Sequence, residues 1–180
     1  MRGGIVITAE ALQRLEADII ERYGKHQEAC GYLVGPLDDG CLCDETFPVP
    51  NLADKLHALD PTLYFRDGRT SFAFREKDLE RAIARGKELS RPVKVIYHSH
   101  LDDGAYFSAT DAAVLSGGTP PSMVGGPAKL GRGPIFEVAF LVTSVRSHGD
   151  SVTIDEHRLY VWARGGFEGA ELRLPTSRVS

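Results

Sequence analysis

His98-Ser99-His100, followed after seven intervening residues by Ser108 and then, past two more, by Asp111, gathers residue types that bind a divalent metal, with a hydroxyl beside them. The run before it, Arg91-Pro92-Val93-Lys94-Val95-Ile96-Tyr97, opens with a proline and is rich in β-branched residues, which predicts a strand. Successive strand side chains point to opposite faces, so His98 and His100 share one. Two imidazoles on one face and a carboxylate a short loop away supply three ligands with one open position, the arrangement a catalytic zinc requires. Ser99, between the histidines, points the other way and reads as structural.

These residues need elements to hold them. Ser-x-x-Asp before an apolar run is capping-box-like, so a helix is expected from Ser108 to about Gly117-Gly118, with Asp111 in its first turn. Upstream, residues 3–7 predict a strand, and Thr8 caps a helix running to about Tyr23, with Leu12, Leu15, Ile19 and Ile20 on one face and Gly24 as its stop. Residues 29–34 read as a buried strand, joined through the turn Asp38-Asp39-Gly40 to a partner over 41–49 in a hairpin. Residues 50–70 read as irregular and polar, 71–74 as a strand and 76–89 as a charged helix carrying Leu79, Ala82 and Ile83. A Gly- and Pro-rich loop is expected over 116–134, and strands over 136–144, 151–154 and 158–162. The chain is read as one domain over 1–175 with a frayed tail over 176–180.

Composition bounds the function. A chain of 180 residues with 42% hydrophobic and 26% charged residues can bury a core without disulfides, and a net charge of -4 gives no reason to expect a nucleic-acid partner. Cys30, Cys41 and Cys43 are an odd count with no second pair for a four-thiolate zinc site, so reduced thiols and a cytoplasmic setting are expected. The N-terminal apolar stretch is too short for a signal peptide, and no run reaches membrane-spanning length, so no membrane partner is expected.

Taken singly, the motifs are commonplace. His-x-His can be two polar residues at a strand end, Ser-x-x-Asp is usually a helix cap, and Cys30 reads as a small buried hydrophobe. Asp102 and Asp103 are candidate substitute ligands in ordinary turn chemistry, and His26, His57, His148 and His157 have no partner pattern. Their order and spacing, however, resemble a family. Glu28-Ala29-Cys30-Gly31-Tyr32-Leu33-Val34-Gly35, with His98, His100, Ser108 and Asp111, is similar to the JAMM (MPN-plus, Mov34-like) zinc metalloproteases, and most of all to their prokaryotic standalone type. Phe47-Pro48-Val49-Pro50-Asn51 and Phe140-Leu141-Val142-Thr143-Ser144-Val145 resemble two further family segments, so the likeness spans most of residues 5–162.

The resemblance implies an α/β fold: a single-domain, cytidine-deaminase-like JAMM/MPN architecture with a curved mixed sheet, one helix on one side and two on the other. It implies one catalytic Zn2+ held by His98, His100 and Asp111, with Glu28 as general base and Ser108 as a hydrogen-bond donor to the oxyanion. The substrate it implies is an amide after the C-terminal glycines of a ubiquitin-like or sulfur-carrier protein, with an extended tail adding to a sheet edge. Residues 50–70 and 116–134 are expected to line the tail channel. Leu101 stands where many members have proline after the second histidine, and Tyr106-Phe107 is expected to pack the loop this leaves less constrained. The Cys-Trp pair that precedes the serine in eukaryotic deubiquitinating members is missing, so no polyubiquitin linkage specificity is implied. Two other functions stay open: a zinc hydrolase of small peptides or amides, and a non-catalytic MPN interaction scaffold.

Overall fold

A computed structural model of the chain describes residues 4–123 and 125–175. In chain order its elements are β1 (Ile5–Ile7), α1 (Ala9–Tyr23), β2 (Cys30–Val34), β3 (Leu42–Cys43), β4 (Glu45–Val49), α2 (Ala53–Leu59), α3 (Glu76–Glu88), β5 (Val93–Leu101), α4 (Ala109–Leu115), β6 (Ala139–His148), β7 (Ser151–Ala163), β8 (Gly166–Ala170) and β9 (Leu172–Arg173). The tail expected over 176–180, Gly3 of the first strand and Val124 of the long loop lie outside the described residues.

An open six-stranded sheet runs β4-β2-β5-β6-β7-β8. It is mixed, with β5 and β6 parallel and every other pair antiparallel. A parallel pair needs a crossover, and α4 with the excursion over residues 116–134 provides it. A small parallel sheet, β3-β1-β9, stands apart. All nine residues of β5 are buried, because the strand has neighbours on both edges and packed layers on both faces.

The layers follow from the alternation. Val95, Tyr97 and Leu101 enter one core with Ile5 and Ile7 of β1, Leu15 and Ile19 of α1, and Leu141 and Val145 of β6. Ile96 enters a second core with Leu79 of α3, Leu115 of α4 and Phe140. One helix therefore covers one face and two cover the other, as the resemblance implies. At the start of α1, the Thr8 side chain accepts a hydrogen bond from Ala11 N at 3.3 Å, which satisfies a donor the helix leaves free. Ile20 is exposed rather than on the buried face.

Several elements differ from expectation for local reasons. The segment 71–74 is not a strand: Ala73 exchanges hydrogen bonds with the Asn51 side chain and Leu52 N, not with a neighbouring strand. The segment 50–70 contains α2, whose N-cap Leu52 makes no side-chain bond; the Asn51 side chain holds its start instead. Residues 41–49 divide between two sheets, β3 pairing with β1 and β4 with β2, so the expected hairpin is formed by β2 and β4 alone. The strand expected to start at 136 begins at Ala139, the two expected over 151–162 are one continuous β7, and β8 and β9 follow unforeseen.

Candidate metal centre

Register brings the distant residues together. In the antiparallel β2–β5 pair, Cys30 lies opposite His98. Extended by two residues, the register sets Glu28 against His100. Two bonds continue the ladder to that point: Ser99 N donates to Ala29 O at 3.0 Å, and Ala29 N donates to Ser99 Oγ at 2.8 Å. Ser99 thus faces away from the histidines and fastens the residue next to Glu28. Asn51 fastens the other side. Its Nδ2 donates to Glu28 O and Ser71 O, both at 3.0 Å, while its Oδ1 accepts from Ala53 N at 2.9 Å and Ala73 N at 3.1 Å. A buried amide with four satisfied bonds fixes the Glu28 backbone, the segment 71–73 and the start of α2 at once.

His98 and His100 turn their Nε2 atoms toward one another at 3.2 Å. Asp111 Oδ2 lies 3.5 Å from His98 Nε2 and 3.8 Å from His100 Nε2. Ligands held tetrahedrally at 2.0–2.2 Å from zinc lie about 3.3 Å from one another, so the three atoms are spaced as a metal would hold them. His100 Nδ1 donates to Gly104 O at 2.8 Å, which fixes the ring with Nε2 toward His98 and Asp111. His98 stacks on Phe72, ring centroids 4.4 Å apart, which limits its rotation. Among the described residues, His98, His100 and Asp111 form the group able to hold a metal ion.

The capping box and the candidate metal site share one atom, Asp111 Oδ2. Ser108 Oγ accepts from Asp111 N at 3.1 Å and donates to Asp111 Oδ2 at 2.5 Å, while Ser108 N donates to that oxygen at 3.0 Å. The reciprocal bonds start α4 and aim Oδ2 at the imidazoles. Burial opposes ionisation of Asp111, but His98, His100 and the Ser108 hydroxyl outweigh it and hold the carboxyl far below the usual carboxylate range. Glu28 is the opposite case. Burial, reinforced by the negative charge of Asp111, pushes its carboxyl well above the ordinary glutamate value.

Glu28, His100, Ser108 and Asp111 line one cavity of about 370 Å³, walled by Phe72, Phe74 and Phe136 and by Arg66, Arg69 and Thr70. Within the segment 50–70, Arg66, Arg69 and Thr70 contribute to this wall. The described residues of 116–134 do not; only their flanks, Leu115, Ile135 and Phe136, reach the cavity. The loop turns back on itself through the Thr119–Lys129 bridge and the bond from Gly131 N to Ser116 Oγ, which holds it away. Arg66 and Asn51 were not foreseen, since a single polar residue in an aperiodic segment carries no spacing signal.

The remaining candidates are committed elsewhere. Asp102 accepts from Tyr23 OH at 2.8 Å and pairs with Arg69 at 3.1 Å, while Asp103 accepts from Tyr106 OH at 2.7 Å. His157 bridges Thr143 and Glu16, His148 pairs with Asp155, and His57 bonds Tyr64 O. Burial pushes the Cys30 thiol up to about 12, so it behaves as a small apolar side chain. Leu101, in the position where proline is common, continues β5 opposite Val145, and the chain turns only at Asp102, φ 57°. Phe107 packs on Phe140, Tyr160 and Phe167, which anchors the end of the loop over 101–107.

Comparison with known proteins agrees with this architecture. A family described as "Prokaryotic homologs of the JAB domain" matches residues 9–140, and the chain belongs to that family. The fold is that of a Desulfitobacterium hafniense protein solved in solution (TM-score 0.59, 15% identity, covering 96% of this chain and 94% of that one). A Salinibacter ruber protein is also similar (TM-score 0.54, 19% identity, 97% and 94% covered). No curated protein matches the chain significantly. Among the described residues, no helix is long and apolar enough to cross a membrane.

Proposed function

We propose that the chain is a zinc-dependent peptidase or isopeptidase that hydrolyses the amide following the C-terminal glycines of a ubiquitin-like or sulfur-carrier protein. The observation that carries this reading is the convergence of two imidazole nitrogens and one carboxylate oxygen beside a cavity that also holds the buried carboxyl of Glu28. His98, His100 and Asp111 would hold the zinc. When bound, it would supply a Lewis acid that polarises a carbonyl and makes water acidic near neutral pH.

The chain's own residues account for the proton traffic. Glu28 takes a proton from the attacking water and delivers it to the departing nitrogen, one carboxylate serving as base and then acid. Its high proton affinity suits the delivery, and a dication nearby would lower that affinity enough for the carboxylate to start as a base. Ser108 Oγ–H, now directed at Asp111, turns to the carbonyl oxygen as negative charge develops there. Phe72, Phe74 and Phe136 exclude bulk water. The free edge of β4, beside β2 in the sheet, offers main-chain groups to an extended glycine tail.

The test compares a folded carrier ending in Gly-Gly joined to an amine with a short peptide ending in the same glycines. The proposal expects the carrier conjugate to be cleaved after the second glycine with a much higher kcat/KM. Equal rates would favour a small-peptide hydrolase, and no cleavage of either by zinc-loaded protein would favour an interaction scaffold.

A further inference from the structure

Arg66 lines the cavity and, although its charge acts on Glu28, it forms no ion pair with a carboxylate among the described residues. Its Nε–H is buried and has no hydrogen-bond partner among the described residues. Its Nη1 reaches only the Thr70 carbonyl, at 3.2 Å, and its Cζ lies 5.6 Å from the centre of the Phe65 ring. Arg69, three residues on, shows the contrast: it borders the same cavity but is engaged by Asp102 at 3.1 Å. Buried donors are almost always paired, so an unpaired one in a cavity wall is open to a partner from outside. A guanidinium held against an aromatic ring presents a planar fork that matches a carboxylate in two parallel bonds.

The geometry points to Arg66 as a specificity residue that binds a carboxylate of the substrate beside the scissile amide. This rests on the proposed amide-hydrolase reading and narrows its substrate class to amides with an acid group next to the reacting bond. Two sources share that chemistry. The acid is either the free α-carboxylate of an amino acid departing through its amine, or an acidic side chain just ahead of the glycines on the carrier. Glu76 and Asp103 also line the cavity, and a cation in the wall offsets their charge toward an anionic substrate.

Calorimetric binding to zinc-loaded Glu28→Gln protein tests this with three probes: acetyl-Gly-Gly-Ala as the free acid, its C-terminal carboxamide, and acetyl-Glu-Gly-Gly-Ala carboxamide. One of the two acids is expected to bind at least about tenfold tighter than the neutral amide, the worth of a charge-assisted pair. Preference for the free acid assigns the leaving side, and preference for the Glu peptide assigns the acyl side. Adding Arg66→Lys or Arg66→Gln, two variants so that at least one folded protein is measured, should remove the preference without changing affinity for the neutral amide. Equal binding of all three probes, or a preference that survives both Arg66 variants, overturns the inference. Turnover by the wild-type protein separates the two levels: cleavage without acid preference sinks the Arg66 role alone, whereas an Arg66-dependent preference without cleavage sinks the hydrolase reading alone.

Discussion

Along β5, Val95, Tyr97 and Leu101 enter an aliphatic core with α1, β1 and β6, whereas His98 stacks on Phe72 and His100 meets Tyr106 and a cavity. The two sets of side chains alternate in one strand, yet they are built to opposite ends. On the α1 face the polar groups are consumed internally: Tyr97 OH donates to Asp18 Oδ2 at 2.8 Å, and Ser99 Oγ accepts from Ala29 N. On the other face, two imidazole nitrogens and a carboxylate oxygen converge at 3.2 to 3.8 Å, a carboxyl is held at raised proton affinity and an arginine Nε–H has no partner among the described residues. The first face contributes stability and the second retains unsatisfied chemistry, which costs stability.

That division can be broken by substitution, most sharply at Glu28. Glu28→Gln should reduce turnover by about 10² to 10⁴-fold while zinc content is kept and the melting temperature does not fall, because a neutral isostere removes a base and a desolvated carboxyl together. A drop in melting temperature parallel to the activity loss would mean that the site face also carries the fold. Leu141→Ala, fully buried on the α1 face, should cost roughly 2–5 kcal/mol in urea unfolding while kcat per folded molecule stays near wild type. Ser99→Ala tests the link between faces. It strands the Ala29 N–H at a cost of about 1–3 kcal/mol, and it should lower turnover modestly by loosening the residue next to Glu28.

The smallest effect is a pH dependence confined to the α1 face. Burial raises the Asp18 carboxyl above its ordinary value of 3.8, against the lowering influence of Tyr97 and Arg22. A carboxyl raised on folding contributes stability that is fully present below its unfolded value and is lost as pH rises through the folded one. Asp18→Asn should therefore flatten the decline of stability as pH rises from about 4 toward neutrality, with no change in the pH profile of turnover. An altered rate profile would show that the faces are electrically coupled.

How far this was legible in the sequence depended on whether a residue was placed by periodicity or by a side chain. The facing of His98 and His100 follows from period two, and the position of Asp111 from a capping box, so both could be read directly. Glu28 needed the β2–β5 register, which no spacing in the sequence encodes, and entered only through a family resemblance. Asn51 and Arg66 were invisible because the segment 50–75 is ordered by side chain to backbone bonds. The alternation Ser71-Phe72-Ala73-Phe74 misled for the same reason: two of its phenylalanines line the cavity, but its backbone is paired with Asn51 rather than a strand.

Metal content tests the central claim most directly. The zinc content of purified wild-type, Asp111→Ala and Glu28→Gln protein, measured by elemental analysis after dialysis against a weak chelator, should be one per chain in the wild type. It should also be one in Glu28→Gln, and it should be lost in Asp111→Ala. Equal zinc in all three proteins, or none in the wild type after zinc is supplied, would contradict the assignment of His98, His100 and Asp111 as a catalytic metal centre.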